Sequence, residues 1–148
     1  MILESPAFAH NSFIPKEYTC KGADLSPPMI WKRPPKETKS FVLIMEDPDA
    51  PMGIWVHWIL FNLPDSCHEL KQGIDIPSKA ISARNSWGKK GYGGPCPPSG
   101  THRYFFRLYA LDILLTLGED ATKKEIEMAL QNHIIEQTEL VGKCSHSL

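Results

Sequence analysis

Gly91-Tyr92-Gly93-Gly94-Pro95-Cys96-Pro97-Pro98-Ser99-Gly100-Thr101-His102-Arg103-Tyr104 is the segment around which the chain reads as organised. It holds four of the ten glycines and three of the thirteen prolines. Glycine serves where φ is positive or where another group must approach the backbone closely. Proline stiffens a loop by fixing φ. Together they predict a rigid, non-repetitive loop. It runs directly into Tyr104-Phe105-Phe106-Arg107-Leu108-Tyr109-Ala110-Leu111, an apolar run of strand character. On that strand His102, Tyr104, Phe106, Leu108 and Ala110 face one way. A stiff loop that delivers an imidazole and a phenol to one spot is a way to build a site. The alternative is a structural turn with a core aromatic behind it.

Upstream, Ser40-Phe41-Val42-Leu43-Ile44-Met45-Glu46 is an almost unbroken apolar run, as expected of a central strand buried on both faces. Asp47-Pro48-Asp49-Ala50-Pro51 stops it, and Met52-Gly53-Ile54-Trp55 turns the chain. Val56–Asn62 reads as the next central strand, with His57 on the face of Ile59 and Phe61. Met29–Trp31 reads as a short strand after the extended Pro27-Pro28 pair. Phe8, Phe13, Ile14 and Tyr18 suit one or two edge strands. A helical turn is expected around Glu69–Gln72 and a strand near Ile74–Ile76. Downstream, Thr122-Lys123-Lys124-Glu125 fits a capping box. Ile126, Ala129, Leu130 and Ile134 then recur at helical spacing, and Ile135–Gly142 suits a returning strand.

Many strands and one late helix predict a mainly β chain: a β-sandwich with one or two short helices. Long connections favour Greek-key topology over a meander. The 148 residues form one expected domain, without repeats or a linker. Net charge is −1, so no basic excess points to nucleic acid or an anionic membrane surface. No apolar run approaches the roughly 18 residues of a membrane span, and Met1-Ile2-Leu3-Glu4-Ser5-Pro6 does not open like a signal peptide. Cys20, Cys67, Cys96 and Cys144 contain no C-x-x-C pair. They read as free thiols in the cytoplasm, with one or two disulfides left open by spacing alone.

Three polar clusters flank the central strands: Asp47 with Asp49, His57, and His102 with Tyr104. Each has a plain structural reading, as turn former or satisfied core histidine. Convergence would give them chemistry. A metal site of two histidines and a carboxylate lacks the supporting spacing, so no metal or cofactor is expected. A serine triad through Ser86 or Ser99 lacks the nucleophile-elbow pattern. A Cys96 nucleophile has nothing to depress its pKa. Imidazoles, a phenol and loop N–H groups do suit a phosphate or carboxylate.

Asp47-Pro48-Asp49-Ala50-Pro51, Trp55-Val56-His57-Trp58 and the run from Gly94 to Tyr104 resemble the signature of the phosphatidylethanolamine-binding protein family, which includes the Raf kinase inhibitor protein. The similarity is closest to its shorter prokaryotic branch. Leu25-Ser26-Pro27-Pro28 with Trp31, Ala83-Arg84-Asn85, Tyr109–Asp112 and Thr122–Gly142 share in it. The resemblance implies a β-sandwich around a large antiparallel sheet, with an anion pocket at one end. Asp47, His57, His102 and Tyr104 are then the pocket residues. Gly94 and Pro97 form its wall, Trp55 its rim, and Asp49 with Arg103 a supporting ion pair. A cis bond is implied at Ala50-Pro51. The implied function is that of a small-anion-binding module acting on a kinase or another phosphorylated protein partner, not an enzyme. A homodimer is compatible with the branch. The alternative is a weak hydrolase using the same histidines and Asp47 as acid and base. The segment between Pro51 and Trp55 is shorter than in the animal proteins, and the chain ends without their extended C-terminal helix.

Overall fold

The computed structural model describes residues 1–73 and 76–147. Its strands are β1 (Ile2–Glu4), β2 (Ser12–Phe13), β3 (Met29–Lys32), β4 (Ser40–Asp47), β5 (Trp55–Pro64), β6 (Glu69–Leu70), β7 (Ile81–Ser82), β8 (Thr101–Leu111) and β9 (Ile134–Ser145). A single 3-10 turn covers Lys16–Tyr18, and one helix, α1, covers Lys123–Leu130. Six strands form a large sheet in the order β2-β9-β8-β4-β5-β7. Three form a small one in the order β1-β3-β6.

β4 is the axis. Every one of its residues is buried, and it pairs antiparallel with β5 on one side and β8 on the other. The expected Ser40–Glu46 and 102–111 strands are therefore neighbours. The chain leaves β4 for β5 and returns to β8 on β4's far side, so the sheet is not a meander. Its pairing is antiparallel except at the edge, where β2 runs parallel to β9.

Both faces of this sheet are apolar. One shares a cluster with the small sheet: Phe41, Leu43, Met45, Tyr104, Phe106 and Leu108 meet Leu3, Met29, Trp31 and Leu70. The other packs Val42, Ile44, Ile59 and Phe61 against Ile126 and Leu130 of α1. The helix starts as expected. The Thr122 hydroxyl accepts from the Glu125 N–H at 3.1 Å, and the Glu125 carboxylate accepts from the Thr122 N–H at 3.0 Å. Lys123 also reaches buried Glu46 at 2.7 Å, and Arg107 pairs with the same carboxylate.

Four expectations change, and a fifth lies outside the described residues. His57 does not share a face with Ile59 and Phe61. Met45 pairs with Trp58 but Glu46 pairs with Val56, so His57 is an extra residue in β5. That bulge breaks the two-residue alternation and turns His57 toward Tyr104, away from the helix side. Glu69–Leu70 is strand, not helical turn, because it pairs with Met29 and Ile30. The strand expected near Ile74–Ile76 falls partly on Ile74 and Asp75, outside the described residues. No cis peptide bond occurs among the described residues, and Ala50-Pro51 is trans. The cysteines are not all free thiols: Cys20 and Cys96 are disulfide-bonded, while Cys67 and Cys144 are free. The cytoplasmic reading that rested on four free thiols loses that support. No helix among the described residues is long and apolar enough to cross a membrane.

Phe106 is fully buried, with its ring 5.8 Å from that of Phe8. Phe106→Ala is expected to cost about 3–5 kcal/mol through lost burial and a residual cavity. The drop in the denaturant midpoint measures it.

Candidate functional site

The expected site residues come together where β4, β5 and β8 end side by side. Asp47 is the last residue of β4, Trp55 the first of β5, and His102 and Tyr104 lie at the start of β8. Between them opens a cavity of about 310 Å³, lined by Asp47, Trp55, His57, His102 and Tyr104 among others. Pro97 and Pro98 wall it on the loop side.

Asp47 is almost fully buried. A carboxylate removed from water is costly unless it is paired and hydrogen-bonded. One of its oxygens accepts the His102 Nδ1–H at 2.6 Å. The other accepts the Asp49 N–H at 2.8 Å, closing the turn that ends β4. The first bond fixes the His102 ring and leaves Nε2 as its remaining nitrogen.

His57 is held from the loop. Its Nδ1–H donates to the Gly93 carbonyl at 2.6 Å, while the Gly93 N–H donates to the His57 carbonyl at 3.0 Å. Here too Nε2 remains. Burial pushes the His57 pKa down, so the ring is neutral at pH 7 despite the nearby Gly93 carbonyl and Asp47. Its ring stands edge-on to Tyr104 at 5.1 Å and to Trp87 at 5.0 Å. Tyr104 is fully buried, and its hydroxyl has no hydrogen-bond partner among the described residues. Burial and the Asp47 charge keep that phenol protonated far above its usual range.

Asp49 and Arg103 form the expected ion pair outside the cavity. Arg103 grips both Asp49 oxygens, at 2.9 and 2.8 Å, and its backbone N–H donates to the same carboxylate at 2.9 Å. These bonds hold the Asp49 pKa down at about 2.

Gly94 is the exception. It does not line the cavity. Its N–H donates to Asp24 Oδ1 at 2.9 Å, and a Cβ there would stand 2.1 Å from that oxygen. Glycine is needed behind the wall, not in it. Sequence reasoning also missed Trp87, which lines the cavity and stacks edge-on against Trp55 at 5.5 Å. It lies directly over Gly93, where a Cβ would fall 2.4 Å from its ring. The available signal was a tryptophan beside a glycine just ahead of the loop. Ala50, Pro51, Met52 and Cys96 complete the lining.

The arrangement offers two ring nitrogens and a phenol at the base of an aromatic- and proline-walled recess. Among the described residues no cluster of three His, Cys, Asp or Glu side chains is placed to hold a metal ion. Neither Ser86 nor Ser99 lines the cavity. Cys96 is in the disulfide. The Ser86 hydroxyl accepts the Val56 N–H at 2.8 Å.

Asp49 lowers its pKa on folding, so its contribution to stability is present above its unfolded value and lost as pH falls through its folded one. Wild-type protein should lose this component between roughly pH 4, the ordinary carboxylate value, and about 2. In Arg103→Gln the Asp49 midpoint, read by carboxyl NMR, should return toward the ordinary value and the acid loss should flatten.

A family model described as phosphatidylethanolamine-binding protein matches residues 4–145. A UPF0098 protein of Methanothermobacter thermautotrophicus is 43% identical over 146 residues, covering 96% of this chain and 97% of its own. A crystal structure described as a phosphatidylethanolamine-binding protein homologue from Chlamydia trachomatis is 42% identical and superposes with a TM-score of 0.93, covering 97% of this chain and 96% of that one. Escherichia coli YbcL, described as a new member of the mammalian family, is 27% identical with a TM-score of 0.90 and the same coverage. The chain therefore belongs to the phosphatidylethanolamine-binding protein family, in its short prokaryotic branch.

Proposed function

We propose that the cavity binds a small phosphate-like anion, and that the chain is a binding module for phosphate, a phosphorylated head group or a phospho-residue. The observation that carries this reading is the Tyr104 hydroxyl: buried, without a hydrogen-bond partner among the described residues though close to the Asp47 carboxylate and the Cys96 backbone, and beside two imidazoles whose Nδ1 atoms are already engaged. Leaving a buried donor unsatisfied costs stability. A ligand oxygen repays that cost.

The charge balance sets the conditions. Asp47 opposes an anion unless its charge is balanced, and His102 is the group bonded to it. Burial disfavours the charged form of His57 when the cavity is empty. An anion favours its protonated form, so binding takes up a proton and tightens as pH falls. Two or three hydrogen bonds to a charged group, at ~1.5–3 kcal/mol each, less immobilisation, correspond to roughly millimolar to high-micromolar affinity. Specificity then comes from a larger molecule touching the Trp55–Trp87 rim. A kinase or another phospho-signalling protein is the partner class that this reading favours.

The Asp47–His102 pair also supports a second reading, a weak hydrolase in which His102 is a general base oriented by Asp47. It requires water as nucleophile, because Cys96 is in the disulfide and neither Ser86 nor Ser99 lines the cavity.

An amide NMR titration with phosphate, phosphoethanolamine and phosphotyrosine, at about pH 6 and 8 on either side of the histidine range, tests both. Saturable shifts at residues 47–57 and 93–104, larger at the lower pH and without product, are the expected result. No localised shift with any of the three sinks the anion reading, and turnover lost in His102→Ala establishes the hydrolase. Tyr104→Phe separates binding from folding. Stability should hold within about 0.5 kcal/mol, or rise, while phosphate binding weakens about five- to tenfold through one lost hydrogen bond.

A further inference from the structure

The Cys20–Cys96 disulfide joins residues 76 apart in sequence, and both cysteines are exposed. Thiol–disulfide exchange requires a thiolate to reach one sulfur, and here both residues are open to solvent. The position of the bond gives that access a consequence. Cys96 lines the Asp47–Tyr104 cavity. Cys20 and Cys96 together line a second hollow, of about 510 Å³, with Asp24, Trp87 and Lys89. Cys96 and Trp87 therefore belong to the partition between the two.

The loop's other ties are unevenly placed. Upstream of Cys96 they are dense. The Tyr92 hydroxyl donates to the Tyr18 carbonyl at 2.6 Å, the Gly94 N–H to Asp24 at 2.9 Å, and the Cys20 N–H to the Pro95 carbonyl at 3.1 Å. Downstream, Pro98, Ser99 and Gly100 are exposed. There the ties run through His146, whose ring bonds the Pro97 carbonyl at 3.1 Å and whose N–H donates to the Gly100 carbonyl at 2.8 Å. Opening the disulfide thus leaves 92–95 and the Pro97 and Gly100 carbonyls anchored and removes the covalent tie at Cys96, the wall residue between those anchors that both hollows share. A preorganised wall spares the ligand the cost of ordering it.

We infer that this disulfide is a redox latch on the anion cavity: oxidised, it holds the wall in place, and reduced, it releases the wall and weakens anion binding. The inference rests on the anion-binding reading. A dithiol supplies the electrons. Its thiolate attacks Cys20 Sγ, the Sγ–Sγ bond breaks, and Cys96 leaves as a thiolate. The second dithiol sulfur then displaces Cys20. The dithiol ends as a disulfide and the protein gains two electrons and two protons.

The test compares oxidised protein, dithiothreitol-reduced protein and the Cys20→Ser/Cys96→Ser variant, by NMR, thermal unfolding and phosphate titration. The expected result is shifts at residues 93–100 and at the His57 and Trp87 rings, unchanged core amides in β4 and β8, and about tenfold weaker phosphate binding. Re-oxidation of the wild type with oxidised glutathione should restore it. Equal affinity with shifts confined to the residues flanking the cysteines overturns the latch. So does global unfolding on reduction, which makes the bond a plain staple. Should the double-serine variant fail to fold, the reduced wild type, kept below its unfolding temperature, gives the same readout. Should oxidised protein bind no phosphate, the anion reading fails. The wall and ring shifts then decide the latch alone, their absence overturning it and their presence supporting it.

Discussion

The hydrogen bond between the buried Asp47 carboxylate and His102 is the constraint on which the arrangement depends. A charge removed from water must find its compensation nearby, or the fold loses several kcal/mol. That compensation comes from β8, which reaches Asp47 only because β4 and β8 pair in the observed register, Glu46 opposite Phe105. The backbone of the cavity is therefore fixed by the pairing of the fully buried β4 with β8. The Asp49–Arg103 grip repeats the link one step outward, again between the end of β4 and the start of β8.

Glu46 and Asp47 make the division of labour explicit. They are adjacent on β4, both buried, and directed to opposite faces. Glu46 is neutralised by Arg107 and Lys123 on the helix side, so one carboxylate fastens α1 to the sheet. Asp47 is bonded by His102 on the side that opens to the cavity. The helix side has a structural pair, the other side a cavity, and the thickness of one sheet separates them.

Much of this was legible in the sequence. The unbroken apolar run of β4, the alternation in β8 and the capping box of α1 each carry a local period or pattern, and each formed where expected. The convergence of Asp47, His57, His102 and Tyr104 was legible through the shared motifs. What escaped depends on contacts between distant segments. His57 changes face because β5 carries an extra residue opposite the Met45–Glu46 step of β4, and alternation within one strand cannot reveal its partner's register. Cys20 and Cys96 meet because the loops bearing them are neighbours in space. Trp87 enters the cavity wall only once Gly93 has given it room. Gly94 was placed in the wall by its position in the shared motif, whereas Asp24 and Tyr18 leave no space for a side chain there.

The extra residue in β5 also governs which changes of chain length the family can accept. Removing one residue between Val56 and Ile59 would slide every upstream side chain across the sheet, carrying Trp55 and Val56 to the wrong sides. Insertions and deletions in that stretch are thereby barred to lineages that keep both cores. The Met52-Gly53-Ile54 turn is exposed and lies at the cavity through Met52, and it can shorten or lengthen without disturbing either one. Divergence between branches in the size of the cavity mouth should be concentrated in that turn, leaving the floor unaltered.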